Sequence, residues 1–185
     1  MANVNGPRGF IPVRRLGGGE IQTNAYSIAS EYSTSIFTGQ VVEMTGTGTN
    51  IASAAAGNAD NIGVFAGCQF TKSTGEVVFS DYWPASTAVT DVIAYVWDDP
   101  KIVFEVQTDT LAEADVGTVA DHVVGSGSVV TGQAASYVDV TNGGTSGKTF
   151  RILRLVDRPD NAYGAYAKAE VVFAEHALGA ALTGI

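Results

Sequence analysis

A chain of 185 residues that is 45% hydrophobic and 16% charged is long enough to bury the core of one domain and too apolar to stay disordered. Its formal net charge of −9 is unevenly spread: the first nineteen residues hold three arginines and no acid, and the other 166 hold seven basic against nineteen acidic side chains, a net of −12. An acidic body lacks the clustered Lys and Arg that phosphate backbones require, and no stretch reaches the roughly 18 apolar residues of a membrane-spanning helix, so neither nucleic acid nor a membrane is an expected partner.

The chain opens on Gly-Pro-Arg-Gly at 6–9 and Gly-Gly-Gly at 17–19, which bracket Phe10-Ile11-Pro12-Val13-Arg14-Arg15. Pro7 and Pro12 forbid a helix and favour an extended segment. Residues 1–19 are therefore predicted to be an extended N-terminal arm, with Arg8, Phe10, Ile11, Arg14 and Arg15 as its binding side chains. The segment has no apolar run of the ~7–15 residues of a secretion signal. A basic arm on an acidic body suits an acidic neighbour, a second copy of the chain included.

Residues 20–185 read as a single all-β domain, a compact β-barrel or β-sandwich with little helix. Short β-like runs separated by Gly, Asn, Asp, Ser and Thr clusters set that rhythm. The runs are Tyr26–Ala29, Ser35–Met44, Ile62–Phe70, Glu76–Ser80, Asp91–Trp97, Ile102–Thr108, Ser136–Val140, Phe150–Val156 and Lys168–Ala174. In Ile62–Phe70, strict alternation puts Ile62, Val64, Ala66, Cys68 and Phe70 on one face and Gly63, Phe65, Gly67 and Gln69 on the other. Asp98-Asp99-Pro100 reads as the turn of a hairpin between Val92–Trp97 and Ile102–Val106. The run Asp91–Trp97 is apolar on both faces, so Tyr95 and Trp97 either face a thick core or are covered by a second subunit. Arg151–Val156 breaks phase, which predicts a bulge or a second buried face. Leu111–Val116 is the best helical signal, one or two turns capped by Asp109 or Thr110, and Ile51–Asp60 reads as a loop.

The segment Asn142-Gly-Gly-Thr-Ser-Gly-Lys-Thr149 matches a phosphate-cradling loop except at its first position, where Asn142 replaces Gly. Such a loop works only between a strand and a helix, and Phe150–Val156 is strand-like, so a hairpin loop is expected instead. His122 and His176 lie beside Asp121 and Glu175, but adjacent strand residues point to opposite faces and neither pair would cooperate. Cys68, alone and mid-strand, reads as a small buried hydrophobe. Glu113, Asp115 and Asp121 could offer oxygens to calcium, yet no twelve-residue calcium loop and no Cys/His cluster is present. No catalytic, cofactor or metal residues are expected, and the chain is not expected to be an enzyme.

The ordered motifs resemble a family of tailed-bacteriophage head proteins, the capsid decoration or cement proteins. The resemblance starts at Met1-Ala-Asn-Val-Asn-Gly-Pro-Arg-Gly-Phe-Ile-Pro-Val-Arg14. It continues through Phe37-Thr-Gly-Gln-Val-Val-Glu-Met44, Asn61-Ile-Gly-Val-Phe-Ala-Gly-Cys-Gln-Phe70, Tyr82-Trp-Pro84, Ala94-Tyr-Val-Trp-Asp-Asp-Pro100, Phe104-Glu-Val-Gln-Thr-Asp109 and Arg151-Ile-Leu-Arg-Leu155, with Asp160-Asn161. It implies a virion protein on the outer capsid surface, made in the host cytoplasm, that bridges major capsid proteins and stabilises the head. Its implied partners are the major capsid protein and other copies of itself, a trimer being favoured over a dimer. Another head or tail structural protein, or a carbohydrate-binding or hydrolytic β-domain, is the alternative.

Overall fold

A computed structural model describes residues 3–58 and 60–179. The chain is all-β, and its strands build two units around two adjoining cores. The first strand, β1 (Ile11–Arg15), belongs to the second unit. The chain then makes β2 (Asn24–Ile28), β3 (Ile36–Phe37), β4 (Val41–Met44), β5 (Asn50–Ser53), β6 (Asn61–Thr71), β7 (Val77–Ser80), β8 (Tyr82–Trp83) and β9 (Ile93–Trp97). Five of these, in the order β4-β5-β2-β9-β6, close into a barrel because β6 pairs back onto β4. Strand β7 hangs on β6 as a flap, and β3 pairs with β8.

One apolar residue or more from each barrel strand meets inside: Ile28, Val42, Ile51, Ile62, Phe65, Phe70, Ala94 and Val96, with Trp83 filling the centre. Outward-facing Val41 and Val64, paired across β4 and β6, belong to the other core. The barrel wall is thus buried on both sides there, which is why this stretch of β6 is apolar without interruption.

The second unit contains β1, then β10 (Ile102–Gln107), β11 (Thr110–Leu111), a single 3₁₀ turn at Glu113–Asp115, β12 (Val119–Val123), β13 (Tyr137–Gly144), β14 (Phe150–Leu155), β15 (Gly164–Ala165) and β16 (Lys168–Phe173). Its main sheet runs β1-β10-β16-β14-β12-β13. Phe104, Phe150, Ile152, Val171 and Phe173 line its inner face, Phe104 and Phe150 each packing a ring on Phe173. The sheet curls until β13 meets the end of β10, where Val138 bridges to Thr108 and its carbonyl accepts from Asp109 N–H.

Several sequence expectations change. Asp98-Asp99-Pro100 is no hairpin turn, since β9 lies in the barrel and β10 in the second sheet; the acidic turn carries the chain between units. Nor is Asn142–Thr149 a hairpin loop, because β12 lies between β13 and β14. Ile51–Asp60 begins inside β5, which pairs with β2 and β4 and carries a single buried large side chain, Ile51. Strict alternation along β6 fails at register shifts against β4 and β9, which turn Val64 toward the second core and Phe65 toward the barrel interior with Cys68 and Phe70. At Gly63 an added Cβ would lie 2.3 Å from the Trp97 carbonyl oxygen, so only glycine lets β6 and β9 approach this closely. The phase break in β14 is a bulge between Ile152 and Arg154. The one helical turn among the described residues has Ala112 at its N-cap, without a side-chain cap, rather than Asp109 or Thr110.

Candidate interaction surface

The N-terminal strip is the edge strand of the second sheet and is stapled to its own chain. Its path is set where Gly9 crosses Gly39: a Cβ on Gly9 would lie 2.5 Å from the Gly39 carbonyl oxygen, and Phe10 N–H donates to that oxygen at 2.9 Å. The crossing drives Phe10 into the second core, where it is 1% exposed and stacks on Phe150 with ring centroids 4.4 Å apart. Phe10 therefore has no surface to offer a neighbour, which corrects its place among the arm's binding residues. Upstream, Asn3 Nδ2 donates to the carbonyls of Ala162 and Ala165, Gly6 N–H donates to Gln107 Oε1, and Gln107 Nε2 donates to Asn5 Oδ1.

The charge complementarity of strip and body is met within the molecule. Arg14 pairs with Glu170 at 2.7 Å, and Glu170 also accepts Arg154 at 2.7 Å, while Arg15 pairs with Asp99. Hydrogen bonds from Arg154 and Arg14 outweigh partial burial and hold the Glu170 carboxyl below its ordinary range. Asp99 is likewise lowered: burial opposes ionisation, but Lys101 N–H and Arg15 prevail.

Arg8 and Ile11 remain at the surface. They line a shallow groove of about 210 Å³ together with Glu105, Gln107, Arg158 and Lys168. Arg158 and Glu105 pair across it at 2.6 Å, whereas Arg8 and Lys168 enter no ion pair among the described residues. Tyr95 and Trp97 lie on β9, in the other sheet, and are not brought together with the strip. Trp97 packs against the second core, so the chain itself covers part of it, and Tyr95 is likewise half-buried with its hydroxyl donating to Gln69 Oε1 at 3.3 Å.

The sequence reading missed the most apolar surface. On β7, Val77 is 52% and Phe79 72% exposed, beside Ile93 at 37%; Phe79 and Ile93 both lie opposite Gln69, so all three share one outer face of the barrel. At a loop tip between β12 and β13, Val129 and Val130 are also exposed. The signal in β7 was the alternation of Val77 and Phe79, but alternation does not tell which face meets water.

The titratable groups serve the scaffold. Asp121 accepts from Lys148 Nζ at 2.8 Å and from Thr149 N–H, so the lysine and threonine of the glycine-rich segment are engaged by a carboxylate, and a strand follows where a phosphate loop needs a helix. His122, on the opposite side of β12, is fully buried with Nε2 at 3.2 Å from the Ala54 carbonyl and its ring edge-on to Phe150; burial lowers its pKa. His176 accepts Leu178 N–H at Nδ1, and burial pulls it down to about 4 against the opposing pull of Asp98 and Asp99. Asp98 is a buried hub that accepts two contacts from Asn24 Nδ2 at 2.9 Å and one from Tyr26 OH at 2.8 Å; burial, then this bond, raises the tyrosine. Cys68 is buried, its thiol pushed up to about 12 by burial and the Asp81 charge, which keeps it protonated and unreactive. Among the described residues, no group of three or more His, Cys, Asp or Glu side chains is placed to hold a metal ion, and no helix is long and apolar enough to cross a membrane.

Compared with protein-family models, with curated proteins and with solved structures, the chain matches none.

Proposed function

We propose that the chain is a structural virion subunit that binds the outer surface of a tailed-phage head and stabilises it by bridging major capsid proteins. The reading starts from the ordered sequence motifs. The structural observation that carries it further is that apolar side chains are displayed on separate solvent-facing edges: Ile11, Val13 and Leu16 along and beyond β1, Val77 and Phe79 along β7, and Val129 and Val130 at a loop tip. A subunit flanked on several sides by shell proteins and by further copies needs apolar contact surface distributed in this way. Arg8 and Ile11, in the groove, and Tyr95, on the barrel, are the proposed contact residues that the fold leaves accessible. Phe10, Arg14 and Arg15 act indirectly by fixing the edge from which Arg8 and Ile11 project, and Trp97 acts indirectly by packing against the second core. The chain acts without catalysis or cofactor, in contact with capsid protein and its own copies.

The test is imaging of purified heads with and without the added full-length chain. Hundreds of copies in regular positions on the outer surface are expected, with occupancy reduced by Ile11→Asp. A handful of copies at one vertex would replace the reading with that of a minor head or tail component. No density on the outer shell would end it.

A further inference from the structure

We infer that β7 is a self-association edge, on which a second copy of this chain adds its own β7 antiparallel across a two-fold axis. The inference does not depend on the virion reading, since it concerns copies of the chain alone.

Among the described residues, the two six-stranded sheets end in three edge strands, β1, β13 and β7, and two of them are blunted. On β1, Pro12 has no N–H to give and a register shift follows between Pro12 and Arg14. On β13, the Asp109 carboxylate accepts the outward amides of Val140 and Thr141, at 2.7 and 3.2 Å. Strand β7 carries no such device. It ends its sheet, and its exposed face is apolar where edges usually carry charge.

The backbone pattern also selects one register. Lys72 N–H donates to the Glu76 carbonyl at 2.9 Å, so alternation along the hairpin turns Val78 and Ser80 toward β6 and leaves the N–H and C=O of Val77 and Phe79 pointing outward. At either end the neighbouring groups are taken: Gly75 N–H donates to Lys72 O, and Asp81 O accepts Thr38 N–H. With Val78 on the axis, Val77 faces the second copy's Phe79 and all four outward groups on each copy find partners. A centre on Phe79 or on Val77 would instead call on the occupied Asp81 or Gly75 groups. The same register sets Phe79 beside Val77 of the other copy on the outer face, and puts Asp81 opposite the Gly75 turn of the other copy, next to Lys72. Asp81 is exposed, and Lys72 is a half-exposed cation whose one partner is Glu76. Opposite charges therefore meet at both ends of the pairing.

A contact of four residues is small against the roughly 1,200–2,000 Å² of a stable complex, so the association is weak in free solution, with a dissociation constant of about 10 µM to 1 mM. Sedimentation equilibrium of the full chain over that range tests it. The average mass is expected to rise from 19.1 kDa toward twice that value. Phe79→Asp, and separately Val77→Pro, which removes an outward N–H without touching the ladder to β6, are expected to weaken association at least tenfold with unchanged circular dichroism. The charge reversal Lys72→Asp is expected to weaken it, and adding Asp81→Lys to restore it. A mass fixed at 19.1 kDa throughout, a trimeric limit, or association indifferent to Phe79→Asp and Val77→Pro would overturn the inference.

Discussion

The two units solve the same closure problem by different means. The barrel is made from consecutive chain between Asn24 and Trp97 and closes by a ladder, β6 onto β4. The second sheet also curls round, but its last gap is spanned by a single backbone bridge, Thr108 to Val138, and by a side chain: Asp109 takes the amides of Val140 and Thr141 and the Thr141 hydroxyl. Its other edge is completed by β1, which arrives from the far end of the sequence. A ladder closure distributes its energy over several backbone bonds, whereas the closure of the second unit rests on one bridge and the Asp109 side chain. The comparison says where the molecule is vulnerable.

The largest effect is expected from Phe10→Ala. Removing a fully buried ring that stacks on Phe150 and meets Phe104 edge-on leaves a cavity and should cost about 3–5 kcal/mol, read as a lowered denaturant midpoint. Removal of residues 2–19 should therefore destabilise the second unit and cannot leave the body intact. If Phe10→Ala unfolds both units in one transition, the shared wall at Val41 and Val64 couples them; two transitions would separate the barrel from the sheet.

The seam between units gives the next effect. After β16 the chain returns to the barrel, where Ala177 N–H donates to the Asn61 carbonyl at 2.7 Å, and His176 packs edge-on against Phe173 beside Asp98 and Asp99. A histidine depressed to about 4 when folded, against about 6.5 unfolded, binds fewer protons in the native state. Its stabilisation is present above pH 6.5 and is lost as pH falls through 4, an amount on the order of 3 kcal/mol. In His176→Asn, which keeps an acceptor for Leu178 N–H, the fall in stability between pH 6.5 and 4 should shrink by that amount. An unchanged profile would remove His176 from the account.

Asp109→Ala tests the side-chain seal directly. Two amides and a hydroxyl lose a charged acceptor, and about 2 kcal/mol of stability should go with them. Faster amide exchange should be confined to β13, with the barrel unchanged. Uniform loss of protection would show that the seal is no weaker a link than the ladder.

Sequence reading found the fold class and most long strands because half-buried strands alternate, as Tyr137–Val140 and Lys168–Val171 do. It could not find the partition into two units. Asp98-Asp99-Pro100 has the chemistry of a turn whether its flanking strands pair or part, and only the partners of β9 and β10 decide. Short strands with one large apolar residue, such as β5, carry too little pattern to be seen. The strip's charge is legible in the sequence, but the acids that Arg14 and Arg15 meet are Glu170 and Asp99 of the same chain and not those of a neighbour, a matter of register between residues more than eighty positions apart. Phe79 is the converse case. Its alternation with Val77 marks a strand without saying which face meets water, and only the position of β7 at the end of its sheet exposes it.

The smallest effect belongs to the outer face of the second sheet, and it shows what holds β1 in place. Glu170 accepts Arg14 from β1 and Arg154 from β14, so it ties the N-terminal edge across β10 and β16 to the middle of the sheet. Arg154 is largely exposed and Arg14 partly so, which screens the pairs and limits the contribution of the network to about 1 kcal/mol or less. Glu170→Gln should lower the denaturant midpoint by only that much, and added salt should shrink the difference further. An effect comparable to Phe10→Ala would mean that charge, and not the buried ring, fastens the strip. The geometry argues for the ring, because Phe10 is enclosed while its arginine neighbours face water.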